Sequence, residues 1–262
     1  MPASDYLAEL FGLTGKTAVV IGGEGVLGGT VATGLARAGA RVLVAGIHVE
    51  NAHRRVELIR EFGGEADFQP LDVTRRSDLE SCLARLQHES RNCDILVHAA
   101  GVNSATPFLE ITDDEWQRIL HINLGSIRTA CQVFGQAMLT AGTRGSIINF
   151  ASMSGITPLS RVFTYSVAKA GVINLTQNLA REWAPKGIRV NALSPGFFPA
   201  EQNRKILSPD RVASILGHTP MQRFGESDEL IGAVLLLASN QAGGFITGTN
   251  LIVDGGFSAM TI

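Results

Sequence analysis

Residues 16–29 read KTAVVIGGEGVLGG, and this stretch decides the fold. A short β-branched run ends in two glycines, and the residues after them are apolar at helical spacing. The pattern predicts a β-strand that leads through a glycine turn directly into an α-helix. A GxGxxG string fits Gly23, Gly25 and Gly28, and in this context the amides at the helix start can bind a pyrophosphate. Because a glycine cluster between strand and helix is often only a tight turn, the string alone is weak evidence.

The alternation of strand and helix continues along the rest of the chain. Further strands are predicted at 41–45, 66–71, 94–99, 145–151, 188–194 and 250–254, and helices at 51–62, 77–89, 113–141, 165–183 and 226–238. Strands that alternate with helices form parallel sheets with right-handed crossovers. We therefore predict the α/β class, with one Rossmann-fold domain over residues 1–262 and a doubly wound parallel sheet of about seven strands between helices on both faces. Residues 197–224 are less regular and polar, and we interpret them as a substrate-binding lid.

Composition argues against several classes of protein. Lys and Arg total 22 against 24 for Asp and Glu, a net charge of -2, so we expect no nucleic acid or membrane partner. The three cysteines, Cys82, Cys93 and Cys131, have no metal-binding or paired spacing, so we expect no metal. Their number and spacing favour the cytoplasm over an oxidising compartment.

The residues that would select a dinucleotide give conflicting signals. An acid at the end of the second strand would accept hydrogen bonds from the adenosine ribose of NAD, whereas an arginine there would favour NADP. This strand leads instead into Gly46, Ile47 and His48. Glu24 in the glycine turn favours NAD slightly, since its charge would oppose a 2′-phosphate, while His48 favours NADP. Asp72 after the third strand is either an acceptor for the adenine amino group or a turn residue.

A second group of residues can carry acid–base chemistry. Tyr165 and Lys169 are four residues apart at the start of a predicted helix, so both side chains lie on one helix face. A phenol has a pKa of about 10, and a nearby ammonium lowers that pKa toward neutrality. Ser152 follows a predicted strand and could donate a hydrogen bond to a substrate carbonyl. Together with the glycine turn, these residues favour a general acid/base over an exposed helix face.

These motifs resemble those of the short-chain dehydrogenase/reductases, and the resemblance covers almost the whole chain. The YxxxK motif of that family matches Tyr165 and Lys169, its active-site serine matches Ser152, and its helix asparagine matches Asn123. The resemblance implies that Tyr165 exchanges the proton, Lys169 binds the nicotinamide ribose and lowers the Tyr165 pKa, Ser152 orients the carbonyl, and Asn123 holds a relay water. The implied activity is NAD(P)-dependent interconversion of a secondary alcohol and a ketone, with NAD slightly preferred.

The resemblance also implies the binding residues. For the cofactor they are Gly22, Glu24, Gly25, Val26, Leu27, Gly28, Ile47, His48, Asp72, Val73, Ala99, Ala100, Gly101, Asn123, Tyr165, Lys169, Pro195, Gly196 and Phe198. For a small-molecule substrate they are Asn103, Ser152, Ser154, Tyr165, Phe197, Gln202, Asn203 and Arg204.

Two departures from the family pattern carry expectations of their own. Ile21 and Val26 replace a threonine and the middle glycine of the turn, so we expect an altered loop path around an intact site. His98 stands where the family commonly has an asparagine, and we expect a half-buried histidine whose hydrogen bonds are satisfied and which takes no part in catalysis.

The C-terminal half is similar to the branch of mannonate (fructuronate) reductases and gluconate 5-dehydrogenases, which implies a sugar acid or polyol as the substrate. Arg204 could hold a carboxylate, and Gln202 and Asn203 could bind hydroxyls. The alternatives are reduction of a 3-oxoacyl thioester or another ketone, and a dinucleotide-binding regulator without turnover. Family habit and the apolar chain end at 257–262 predict a homotetramer.

Overall fold

Strands and helices alternate along the chain, as the computed structural model shows for residues 2–199 and 208–260. The strands are β1 Thr17–Ile21, β2 Arg41–Gly46, β3 Ala66–Pro70, β4 Ile95–His98, β5 Ser146–Phe150, β6 Arg189–Pro195 and β7 Asn250–Val253. In these residues all seven strands are parallel in one sheet, in the order β3-β2-β1-β4-β5-β6-β7. The predicted Rossmann fold is confirmed, and its strand order reverses between β1 and β4.

Helices cover both faces of this sheet. They are α1 Ala3–Phe11, α2 Val26–Arg37, α3 Val49–Glu61, α4 Arg76–His88, α5 Asp113–Leu120, α6 Ser126–Ala141, α7 Phe163–Trp183, α8 Pro209–Gly217 and α9 Ile231–Ala238. Neighbouring residues of β1 point to opposite faces, so Val19 belongs to one core with α4, α6 and α7, and Val20 to the other with α2, α3 and α9. A sheet buried on both faces explains why its strands read as continuous apolar runs.

Two predictions of secondary structure need correction. The region 197–224 is not irregular throughout, because it contains α8, whose start is fixed by Ser208 accepting the Arg211 N–H and by Pro209 in the first turn. The predicted helix over 113–141 is divided into α5 and α6 by a π-helical turn at His121–Gly125. A π-turn inserts a residue into a helix and marks functional positions in many proteins.

Residues 2–199 and 208–260 contain no helix long and apolar enough to cross a membrane, and no group of three or more His, Cys, Asp or Glu side chains that could hold a metal ion. All three cysteines are buried as free thiols.

His98 ends β4 and is fully buried, not half-buried as the sequence predicts. Ser126 Oγ donates to the Ile122 carbonyl and lies 3.0 Å from His98 Nε2, so it accepts the Nε2 proton. The buried Nδ1 atom has no hydrogen-bond partner in the described part of the chain, so the prediction of a satisfied histidine was also wrong. Burial, and secondly the positive charge of Lys169, lower the pKa of His98 to about 3.

We predict that His98→Asn makes the protein less sensitive to acid. Between the ordinary histidine pKa of 6.5 and the folded value of about 3, only the unfolded chain binds the His98 proton, so stability falls as pH decreases through this window. The slope from this residue approaches about 1.4 kcal/mol per pH unit. The free energy of unfolding, measured with urea between about pH 7 and pH 5, should therefore decrease less steeply with falling pH in His98→Asn than in wild type.

The control is His88→Asn at an exposed histidine of α4, which should keep the wild-type dependence. Equal slopes in wild type and His98→Asn would contradict the prediction.

Candidate active site

The glycine turn between β1 and α2 is shaped by backbone contacts that leave no room for side chains. Gly22 has a φ of +77°, and a Cβ atom there would lie 2.6 Å from the backbone nitrogen of Ala100. A Cβ atom at Gly28 would overlap the Gly22 carbonyl. Gly25 precedes the helix without any side-chain cap, so the first N–H groups of α2 are available to an anion. Val26 points outward, which lets it replace a glycine of the family pattern.

The turn also places a carboxylate at the end of β2. Glu24 Oε1 accepts the Ile47 N–H at 3.1 Å. Its Oε2 atom is buried and has no hydrogen-bond partner among the described residues. The carboxylate packs directly on Gly46, where a Cβ atom would overlap both of its oxygens. Glu24 is a predicted cofactor residue, but its contact with the end of β2 was not predicted from the sequence.

A cleft of about 450 Å³ opens at the carboxyl ends of the strands. It brings the glycine turn together with Ser152, Tyr165 and Lys169, whereas the fourth predicted catalytic residue, Asn123, does not line it. Its lining is Gly22, Gly25, Val26, Leu27, Gly28, Ala99, Gly101, Val102, Asn103, Phe150, Ala151, Ser152, Tyr165, Lys169, Pro195, Gly196 and Phe198. Val102, Phe150 and Ala151 were not among the predicted residues; Val102 and Ala151 each adjoin one that was, and Phe150 lies two residues before Ser152. The predicted adenosine-side residues Ile47, His48, Asp72 and Val73 do not line this cleft.

Ser152 and Ser154 form a hydroxyl pair after β5. Ser152 Oγ accepts hydrogen bonds from the Ser154 N–H and Oγ–H, both at 3.1 Å. Ser154 was predicted to bind substrate, but it is buried and its hydroxyl is used to hold Ser152. This leaves the Ser152 hydroxyl hydrogen for Tyr165 or for a ligand in the cleft.

Tyr165 and Lys169 lie on the first turns of α7 with opposite shifts of their pKa values. Lys169 is buried, its Nζ donates to the Phe150 carbonyl at 2.7 Å, and it lies 5.4 Å from the centre of the Tyr165 ring. Burial lowers the pKa of Lys169 to about 8. Burial raises the pKa of Tyr165, and its hydrogen bond with Ser152 opposes that rise. The expected lowering of the Tyr165 pKa by Lys169 is therefore not seen, because desolvation of the phenolate is the larger effect.

Asn123 lies in the π-turn and holds the loop that follows β4. Its Nδ2 donates to the carbonyls of Val102 at 2.8 Å and Ile119 at 2.9 Å, and its Oδ1 accepts the Val102 N–H at 3.2 Å. A Cβ atom at Gly101 would lie 2.6 Å from this Oδ1, so a larger residue there would have to displace the Asn123 amide. Both Nδ2 hydrogens of Asn123 are used for these contacts, and Oδ1 keeps one further acceptor position.

Asp72 caps a short turn after β3. Its Oδ1 accepts hydrogen bonds from the Thr74 N–H at 2.9 Å and the Thr74 hydroxyl at 2.7 Å. These two bonds lower the pKa of Asp72. The geometry matches the turn interpretation, and the other carboxylate oxygen, Oδ2, lies 3.6 Å from Arg75 Nε.

A second cavity of about 400 Å³ lies beyond Phe197, between the loop that follows Ser152 and helix α8. Its lining includes Thr157, Ser160, Ser214, His218 and Arg211. Arg211 Nη1 donates to Ser160 Oγ at 3.1 Å and forms no ion pair with any described residue. The predicted substrate residues Gln202, Asn203 and Arg204 lie outside the residues that the structure describes.

A protein-family model described as enoyl-(acyl carrier protein) reductase matches residues 24–258. The chain belongs to the short-chain dehydrogenase/reductase family. As a short-chain dehydrogenase/reductase it is an oxidoreductase that acts on CH–OH groups with NAD(P).

Three relatives illustrate where this short-chain dehydrogenase/reductase stands. A 2-dehydro-3-deoxy-D-gluconate 5-dehydrogenase of Bacillus subtilis is 34% identical, with 96% of this chain and 98% of the relative covered. The structure of a gluconate 5-dehydrogenase from Burkholderia cenocepacia in complex with NADP and tartrate is 30% identical, covers 97% of this chain and 100% of its own, and gives a TM-score of 0.91. A Haemophilus influenza structure with bound NAD, provisionally assigned as a D-mannonate oxidoreductase, is 33% identical over 97% and 99% of the chains, with a TM-score of 0.92.

Proposed function

We propose that this protein oxidises a secondary alcohol of a sugar acid or polyol to the ketone, and catalyses the reverse reaction, with NAD as the preferred dinucleotide. The observation that carries the reaction type is the single cleft in which Ser152, Tyr165 and Lys169 face the glycine turn. Bound dinucleotide would supply the hydride acceptor or donor at its nicotinamide ring.

The residues of the cleft divide the proton chemistry among them. In the oxidation, the Tyr165 phenolate takes the hydroxyl proton of the substrate while the Ser152 hydroxyl donates to the same oxygen. When protonated, Lys169 beside the Tyr165 ring opposes the desolvation that disfavours the phenolate, and its ammonium can bind ribose hydroxyls. Asn123 holds the loop after β4 in place and would also bind a relay water.

The dinucleotide would lie along the carboxyl ends of β1, β4 and β6. The free amides at the start of α2 suit the pyrophosphate. We assign Asp72, Val73, Ala99 and Ala100 to the adenine side, and Pro195, Gly196 and Phe198 to the nicotinamide. Gly22, Gly28 and Gly101 leave no room for a Cβ atom because neighbouring parts of the chain pack on them, which holds the glycine turn and the loop after β4 together at the proposed cofactor site.

The cavity beside α8 supports a sugar acid as the substrate. Arg211 offers a guanidinium without a carboxylate partner in the described residues, next to the hydroxyls of Thr157, Ser160 and Ser214. A sugar acid presents one carboxylate and several hydroxyls, which is the chemistry that these groups can bind. Two of the three relatives above are named for sugar acids and a third is provisionally so named. We interpret residues 197–224, which include α8, as the substrate lid.

An apolar substrate is the second candidate function. Phe197, Ile215 and Phe257 also line this cavity, and the matching family model carries the description of an acyl carrier protein reductase. These apolar side chains would suit a 3-oxoacyl thioester, so the two candidates must be separated by rate measurements.

We further propose that the protein is a cytoplasmic homotetramer. Apolar side chains near β7, an edge strand of the described sheet, are exposed: Phe245 completely, Met221 by 63% and Ile252 by 39%. An exposed apolar patch at a sheet edge favours contact with another subunit. The three buried free thiols fit a reducing compartment.

Tyr165→Phe should lower kcat/KM by about a thousandfold while NADH affinity changes little, because only the proton-transferring hydroxyl is lost. Steady-state rates and a fluorescence titration with NADH measure the two effects. The chain contains one other tyrosine, Tyr6 on α1, so Tyr6→Phe is a matched control that should keep wild-type activity. Wild-type turnover in Tyr165→Phe would overturn the proposed reaction.

Arg211→Gln should raise KM for gluconate by about ten- to a hundredfold, because a charge-assisted hydrogen bond is lost. KM for sorbitol, which has an alcohol in place of the carboxylate, should change little. Arg181→Gln on the exposed face of α7 is the control variant. A higher kcat/KM for an acetoacetyl thioester than for any sugar acid would favour the second candidate function.

Native mass spectrometry should give about four times the chain mass of 27.8 kDa. Phe245→Asp should lower that mass, since it places a charge in the proposed subunit contact. A monomeric wild-type protein would contradict the homotetramer.

A further inference from the structure

The end of β2 has no acidic residue, although this is where a dinucleotide-binding sheet normally meets the adenosine ribose. The strand ends at Gly46, and Ile47 and His48 follow it. Neither supplies a carboxylate for the ribose hydroxyls. The same two positions also lack an arginine for a 2′-phosphate.

The glycine turn supplies a carboxylate at the end of β2. It belongs to Glu24, which precedes Ile47 by 23 residues. The Ile47 N–H holds one oxygen of Glu24 at 3.1 Å, which fixes the direction of the carboxylate across the strand end. The space is available only because Gly46 has no side chain, since a Cβ atom there would overlap both carboxylate oxygens. The Glu24 carboxylate thus occupies the volume that an acidic side chain at position 46 would otherwise fill.

The second carboxylate oxygen lacks the partner that its burial demands. Glu24 Oε2 is shielded from solvent and accepts no hydrogen bond within the described residues. A buried acceptor without a donor is costly, and a ligand that brings a donor recovers that cost. A ribose hydroxyl is such a donor. A 2′-phosphate is an anion that brings negative charge against the carboxylate.

The three arginines of α3 have other partners, and Arg60 Nη2 donates to Asp67 Oδ1 at 2.8 Å. Arg54 forms an ion pair with Glu50 on the same helix, with 3.7 Å between Arg54 Nη2 and Glu50 Oε2. Arg55 packs its guanidinium on Gly29 and donates to Thr33 Oγ1 at 3.1 Å, so it is directed at α2. His48 is exposed beside the strand end and is the remaining basic residue there.

We infer that Glu24 is the residue by which this chain selects NAD over NADP: its carboxylate replaces the missing strand-end acid and accepts hydrogen bonds from the adenosine ribose hydroxyls. This inference rests on the proposed dinucleotide-dependent function and names the specificity determinant of that site.

The test is a comparison of dissociation constants for NADH and NADPH, measured by nicotinamide fluorescence without any substrate. Wild type should bind NADH more tightly. Glu24→Gln should weaken NADH by about tenfold or more and tighten NADPH, because one charged acceptor is lost and the repulsion of the phosphate is removed. The ratio of the two constants is the quantity that a merely structural role would not shift.

Gly46→Ala provides an independent variant that keeps the charge of Glu24. Its methyl group would displace the carboxylate, so NADH affinity should fall as it does in Glu24→Gln. Glu50→Gln is the matched control, because it removes the same charge from an exposed side chain at the start of α3. Its ratio of dissociation constants should remain that of wild type. Thermal unfolding of each variant reports whether it is folded.

The outcomes separate the inference from the function on which it rests. A folded wild type that binds neither dinucleotide contradicts the proposed function itself. A wild type that binds both, with a ratio unchanged in Glu24→Gln and Gly46→Ala, contradicts only the role of Glu24. A wild-type preference for NADPH also overturns that role. An equal change of the ratio in Glu50→Gln would reduce the effect to general charge and overturn the specific contact.

Discussion

The contact between the Gly22 backbone and the chain at Ala99 and Ala100 sets the geometry on which the rest of the site depends. At this point β1 and β4 are neighbours, and their connecting helices leave to opposite sides of the sheet, so a crevice opens between them. A side chain at position 22 would lie 2.6 Å from the Ala100 nitrogen and would push the turn away from β4. The turn, the start of α2 and the loop after β4 therefore meet only because this backbone contact is close.

Two ionisable side chains, Lys169 and Tyr165, are buried in the same crevice, and burial changes the pKa of both. Lys169 is held by the Phe150 carbonyl, and its burial lowers its pKa to about 8. The same burial raises the pKa of Tyr165. Burial thus favours the neutral forms of both Lys169 and Tyr165, so the pKa values of both residues respond to any charge that enters the cleft. A positively charged nicotinamide ring would favour the Tyr165 phenolate, which is the form needed to accept a proton in alcohol oxidation.

Sequence reasoning succeeded where the signal was local and failed where it depended on tertiary contacts. The spacing of Tyr165 and Lys169 places both on one turn of α7, and the alternation of strands and helices determines the sheet. The Nδ1 atom of His98 has no hydrogen-bond partner among the described residues. This depends on side chains that other elements pack around His98, and no local sequence pattern specifies them. The hydrogen bond from Ser154 to Ser152 was not predicted either, and the predicted role of Ser154 in substrate binding stays a prediction.

The position of Glu24 is the clearest example of a property that no single segment carries. The end of β2 read alone offers no ribose acceptor, and the glycine turn read alone offers only a charge near a phosphate. The acceptor exists because three features coincide: a carboxylate at 24, an N–H donor at Ile47, and the absence of a side chain at Gly46. Gly46 is thus as necessary to the site as the acid itself. A substitution at either position would remove the acceptor, so the cofactor preference that we propose depends on Glu24 and Gly46 together and not on the end of β2 alone.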